Sequence, residues 1–135
     1  MADRMSSRER VLATIAGEEV DRPPVSLWRH FYHHERSIDG LVEAMLGFQR
    51  RFGWDFMKVN PRAHYHVEDW GVRYTYPADA NAAPSPAEVP VRSAEDWERI
   101  QPLDPSQGVL GEHLLALRRI GQGMHHRLAQ SACSG

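Results

Sequence analysis

The sequence predicts an α/β fold built around one parallel strand–helix–strand unit. Three observations carry that expectation: an apolar run Val25-Ser26-Leu27-Trp28, a helical repeat of Leu41, Met45, Phe48 and Phe52, and a second short apolar run Phe56-Met57-Lys58-Val59 directly after it. Two parallel strands joined through a helix make a right-handed crossover. The chain has 135 residues, 41% of them hydrophobic and 25% charged. That length and composition fit a single globular domain and leave no room for a second.

The elements are expected in the following order. Ser6-x-x-Glu9 is a capping box, and Val11, Leu12 and Ile15 follow it with helical spacing up to a stop at Gly17. Arg22-Pro23-Pro24 cannot continue a helix, so the chain enters the first strand there. A polar, aromatic loop Arg29 to Glu35 leads to a helix from Ser37 or Asp39, closed by Gly53. After the second strand, the stretch Asp69 to Tyr76 and the stretch Glu88 to Val91 read as a hairpin around a Pro/Ala-rich loop, 77–86. Ser93 is placed to cap a short helix over Ala94–Ile100. A longer helix from about Gly108 to Ile120 carries Leu110, Leu114 and Leu117 on one face. Residues 1–123 are therefore expected as the folded part, and 124–135, which lack periodicity, as a disordered tail.

Composition excludes several classes of function. Basic and acidic residues are interspersed and sum to −2, so no electrostatic footprint for nucleic acid or for an anionic membrane is expected. No apolar run approaches the roughly 20 residues of a membrane span, and the start lacks the apolar core of a secretory signal; a cytoplasmic location is expected. The lone cysteine, Cys133, can neither close an internal disulfide nor build a cysteine-rich zinc site. No cofactor is expected. Fifteen of the sixteen basic residues are arginines and one is Lys58, a bias to which we attach no structural consequence.

Several stretches together resemble the uroporphyrinogen decarboxylase family, including its corrinoid-linked methyltransferase branch. They are Arg8-Glu9-Arg10-Val11-Leu12 continuing through Gly17-Glu18, Asp21-Arg22 and Pro24-Val25; then Phe52 to Val59; then Val67 to Val72; then Val91-Arg92-Ser93 through Glu95-Asp96-Trp97-Glu98 to Pro102-Leu103-Asp104-Pro105. The resemblance is followed from residue 5 to about 123. It implies a (β/α)8 barrel, which typically needs about 250 residues. The chain is then expected to hold the N-terminal segment of such a barrel with a hairpin insertion, apparently truncated, whether as a short gene product or through a shifted reading frame. The implied function is a lyase of porphyrin metabolism, inactive alone. The alternatives are a fragment of a methyltransferase-type barrel or a small self-associating binding module. Implied partners are an acidic tetrapyrrole or a corrinoid-linked small molecule, and a second copy of the chain.

Ligand contacts in such barrels come from the loops after the strands, so residues 29–35 and 60–66 are the places to look. The family's first loop carries two arginines that hold substrate carboxylates, a task suited to the planar guanidinium fork. By the resemblance Arg29 matches the first arginine, while His33 and His34 stand where the second arginine and its tyrosine would be. The family's catalytic aspartate has no counterpart in Asn60-Pro61-Arg62-Ala63-His64-Tyr65-His66. Arg29, His33, His34, Arg62 and His64 are the candidate substrate-binding residues, and no catalytic residue is assigned. His30, His33, His34 and Glu35 with His64 and His66 could instead hold a transition metal, contact an organic anion, or lie in solvated loops. Of these, His30, His33, His64 and His66 are the metal candidates. An extended backbone would put His64 and His66 on one side. Trp54, Trp70 and Trp97 read as core residues with satisfied indole N–H groups, and one of Glu68 and Asp69 as the polar edge of the hairpin.

Overall fold

In the computed structural model, which describes residues 4–132, helix α1 (Ser7–Ala16) opens with the expected capping box. The Ser6 hydroxyl accepts from the Glu9 N–H at 3.2 Å, and the Glu9 carboxylate accepts from the Ser6 N–H at 2.8 Å. Gly17 ends the helix in the left-handed region at φ 73°. The buried face differs from the expected one. Arg10 and Ala13 point inward, whereas Leu12 is half exposed and Ile15 is 79% exposed. What turns α1 is the pairing of Arg10, described below, because a buried guanidinium with complementary carboxylates fixes orientation more firmly than two aliphatic side chains with nothing to cover them.

The two apolar runs at 25–28 and 56–59 are extended but form no ladder, so the expected parallel pair is corrected. They still lie side by side. The Asp55 N–H donates to the Val25 carbonyl at 2.9 Å, and the Lys58 ammonium sits 3.6 Å from the Trp28 ring centroid. Met57 and Val59 turn inward onto the core while Phe56 and Lys58 face out, which is strand-like alternation. Two runs of four residues with no third strand beside them have too few neighbours to sustain a parallel ladder, a pairing normally buried within larger sheets.

Between them runs α2 (Ile38–Phe52), capped by the Ser37 hydroxyl, which accepts from the Gly40 N–H at 3.1 Å, and closed by Gly53 at φ 63°. A 3-10 turn, His34–Arg36, leads into it. A short helix α3 (Tyr65–Glu68) follows the second extended run. Strands β1 (Arg73–Thr75) and β2 (Ser85–Glu88) then form the hairpin, antiparallel with Thr75 opposite Ser85 and a register irregularity between Arg73 and Tyr74. β1 keeps only Arg73–Thr75 of the expected stretch 69–76, and β2 lies three residues before the expected 88–91, taking Ser85 and Pro86 from the stretch expected as loop.

Residues Glu95–Arg99 form a 3-10 turn rather than an α-helix, and its cap is reversed. The Asp96 carboxylate accepts from the N–H groups of Arg92 and Ser93 at 2.9 and 3.0 Å, so the acid holds the entering chain and the serine side chain does not. Helix α4 (Gly108–Ala132) continues twelve residues past the expected end at Ile120. The tail expected from 124 is thus helical backbone to Ala132, and 133–135 lie outside the described residues.

The core sits where α2 crosses α4. Leu41, Val42 and Met45 pack on Ala116 and Ile120, with Phe31, Ile38, Leu46, Met57, Val59 and Met124 around them. Gly123 lets the helices approach, because a Cβ there would lie 2.6 Å from Leu46 Cδ1. The leucine stripe of α4 is not the buried one: Leu114 and Leu117 are nearly half exposed and border an open apolar groove. Trp97 is 67% exposed and so is not a core residue, whereas the Trp70 indole N–H donates to the Gln101 carbonyl at 2.7 Å. Trp54 packs on Phe48 and Phe52, with its indole N–H buried and unpaired. Among the described residues no helix is long and apolar enough to cross a membrane.

Candidate functional site where two loops meet

The loops at 29–36 and 60–66 converge on one buried carboxylate. Glu35 is 2% exposed at the 3-10 turn before α2. Its Oε1 accepts from the Ala63 N–H at 2.9 Å, and its Oε2 from the Phe31 N–H at 3.0 Å. The His30 Nδ1 stands 3.0 and 3.3 Å from the same two oxygens. A carboxylate removed from water needs donors on its lone pairs, and these three supply them. Glu35 therefore ties the two loops together, one residue before Arg36, whose carbonyl accepts from Arg62 Nη1 at 3.1 Å.

Around it lies an aromatic and cationic rim. His30 stacks on Tyr32 with ring centroids 5.1 Å apart, and meets Trp28 edge-on at 6.1 Å. The Lys58 ammonium lies over the Trp28 ring in a cation–π contact. The exposed Arg29 donates to the Asn81 amide oxygen at 2.6 Å and lies 5.4 Å from the Phe31 ring, so the hairpin loop fixes its direction. The Asn60 amide nitrogen is 3.0 Å from His30 Nδ1.

The other expected residues divide. His33 is directed to the hairpin, where its Nε2 lies 2.8 Å from the Pro77 carbonyl and its ring meets Tyr76 edge-on. His34 starts the 3-10 turn and is exposed. Arg62 is buried and internally paired, with Nε 2.9 Å from Glu68 and Nη2 3.6 Å from Glu112. His64 has φ 64° and stacks on Tyr74 at 4.5 Å, while His66 lies on α3 against Tyr65. The extended alternation expected for His64 and His66 is therefore replaced by a left-handed residue followed by a helix. Among the described residues no group of three or more His, Cys, Asp or Glu converges on a point that could hold a metal.

Sequence reasoning missed several residues. Asp69, expected on a strand edge, instead caps α4: its carboxylate accepts from the Val109 N–H at 2.9 Å and the Leu110 N–H at 3.3 Å. Glu68 pairs with Arg62. His113 joins α4 to the second loop, its Nδ1 2.7 Å from the Val109 carbonyl and its Nε2 accepting from the Arg62 N–H at 3.0 Å. Tyr32, Lys58 and Asn60 line the rim without a spacing signal. The position of Asn60 directly after an apolar run, where barrel loops present ligand contacts, was the one available cue.

The motif residues Arg10, Asp21, Arg22 and Asp55 have a different task. Arg10 Nε and Nη2 donate to Asp21 at 2.7 and 3.0 Å, its Nη1 donates to Asp55 at 2.5 Å, and Arg22 donates to the other Asp55 oxygen. Asp55 also accepts from the Val25 N–H at 2.7 Å. This network holds α1 and both extended runs in place behind the loops.

An N-terminal frame clamped by that network, with a loop pair presenting cations and aromatic rings beside a buried acid, defines a protein of mixed helix and strand whose two loops meet on one carboxylate. The model of the uroporphyrinogen decarboxylase (URO-D) family matches residues 6–134, nearly the whole chain, and the chain belongs to that family. No curated protein and no solved structure matches it.

Proposed function

We propose that this chain supplies the first ligand-binding loops of a uroporphyrinogen-decarboxylase-type barrel, and that those loops hold a carboxylated, ring-bearing substrate such as an acidic tetrapyrrole. The observation that carries the reading is the convergence of the loops after the two extended runs on Glu35, with Lys58 over Trp28, Arg29 over Phe31 and Tyr32 stacked on His30. Cations over aromatic surface suit a planar ligand that bears carboxylates. The family supports the barrel.

The chain alone is not a decarboxylase of uroporphyrinogen in this reading. Loop 60–66 offers no carboxylate to stabilise positive charge on a pyrrole, and the Arg62 guanidinium is already engaged by Glu68 and Glu112. Among the described residues the strands β1 and β2 belong to the hairpin and the runs at 25–28 and 56–59 form no ladder, against the eight parallel strands of a closed barrel. Anaerobic incubation with the porphyrinogen, followed by chromatography, should give no coproporphyrinogen beyond the enzyme-free control. Turnover on the order of 1 per second or more, in the range of ordinary enzymes, would refute this. Calorimetric titration with uroporphyrin tests the binding arm, with Arg29→Ala and Lys58→Ala each expected to weaken it severalfold.

A further inference from the structure

His30 and Glu35 are arranged as more than a structural pair. A carboxylate can only accept, so the contact at 3.0 and 3.3 Å requires a hydrogen on His30 Nδ1. The alternative, a bare Nδ1 accepting from Asn60, would set its lone pair against two carboxylate oxygens in a buried site, and the Asn60 amide assignment is itself interchangeable. With Nδ1 occupied, the neutral ring carries its free lone pair on Nε2. That atom makes no hydrogen bond among the described residues, and the side chain is 27% exposed. Glu35 cannot swing away, because the Phe31 and Ala63 N–H groups hold both its oxygens. Stacking on Tyr32 and the edge of Trp28 fix the ring plane.

We propose that His30 and Glu35 form a proton-transfer dyad at the mouth of the two-loop site, acting on a carboxylated organic ligand held by Arg29 and Lys58. The ligand class rests on the reading above; the dyad rests on its own geometry. Nε2 takes a proton from a hydroxyl or an activated C–H of the ligand, and the electron pair of that bond stays on the ligand. Glu35 faces the Nδ1–H of the imidazolium so formed, and the proton returns from Nε2 to the product. His30 is the catalytic residue of this pair, and Glu35 is a positioning residue that selects the tautomer.

Two measurements on the full chain test it. Nitrogen-15 spectra of the histidine side chains at about pH 8 should show His30 protonated on Nδ1 and bare on Nε2, and a predominant Nε2-protonated tautomer would overturn the proposal. The probe p-nitrophenyl acetate reads the same lone pair: Nε2 attacks the carbonyl carbon, p-nitrophenolate leaves, and water hydrolyses the acetyl-imidazole to acetate. His30→Ala should lower the chain's second-order rate about tenfold or more, because the activated nucleophile is lost, and Glu35→Gln should lower it with His30 still present. An unaltered rate in folded His30→Ala would sink the proposal. If Glu35→Gln fails to fold, the tautomer measured in the unsubstituted chain still decides. Neither readout depends on uroporphyrin binding, so failure of that titration counts against the ligand class alone.

Discussion

Asp55 shows what a single residue can do in this chain. It accepts from Arg10, from Arg22 and from the Val25 N–H, so one carboxylate fixes the roll of α1 and the spacing of two extended runs. Burial pushes its carboxyl up, but the hydrogen bonds from Arg22, the Val25 N–H, the Ser7 side chain and Arg10 outweigh it and leave the group well below the ordinary carboxylate range. Asp21 is held low chiefly by its hydrogen bonds from Arg10. A carboxyl depressed in the folded state contributes stability above its unfolded value, near 3.9, and loses it as the pH falls through the folded value. The urea midpoint should therefore hold steady from about pH 7 to 5 and drop below about pH 4. Asp55→Asn should start lower at neutral pH and fall less steeply in acid. Equal midpoints for the unsubstituted chain at pH 6 and pH 3 would contradict this account.

Among the elements, α4 depends most visibly on a residue far away in sequence. Its first turn has orphan N–H groups, and Asp69, some forty residues earlier, satisfies those of Val109 and Leu110. Gly108 is required there: at φ 54°, a Cβ would lie 2.5 Å from Asp69 Oδ1. Asp69→Ala should cost about 0.5–2 kcal/mol, as for loss of other helix caps, read as a lower melting temperature with helix content retained. This contact also marks the boundary of what the sequence could disclose. The Ser6–Glu9 box, Ser37, Gly17 and Gly53 act within four residues of their targets, so local pattern revealed them. Asp69 and the Arg10 network act between segments brought together only by folding. The leucines of α4 misled because helical spacing reports that a face is apolar without saying what covers it. The loop pair was legible as a place, from the order of the elements. The buried role of Glu35 was not, since a His-rich loop ending in an acid reads equally as metal ligands or as solvated surface.

At the scale of the molecule, the exposed apolar surface has a direction. Leu114 and Leu117 border a groove of about 290 Å³ with Val59, Pro61, Tyr65 and Pro105, and Val25, Leu27 and Phe56 present the outer side of the unpaired extended runs. The accessible surface is 9609 Å², against about 7200 Å² for a compact protein of 15.4 kDa by the usual mass scaling. At roughly 25 cal/mol per Å², covering several hundred apolar Å² could offset ordering costs of several kcal/mol. The extended runs add backbone edges with no ladder partner, which favour pairing with another chain. Sedimentation at micromolar concentration should therefore find a dimer or larger species. Replacing Leu114 and Leu117 together by glutamine should shift that equilibrium toward the monomer without loss of helix, because both side chains lie outside the α2–α4 core. A compact, cooperatively melting monomer near 15.4 kDa for the unsubstituted chain would mean that the core at Leu41, Met45, Ala116 and Ile120 suffices by itself, and that the open groove serves a ligand rather than a second copy.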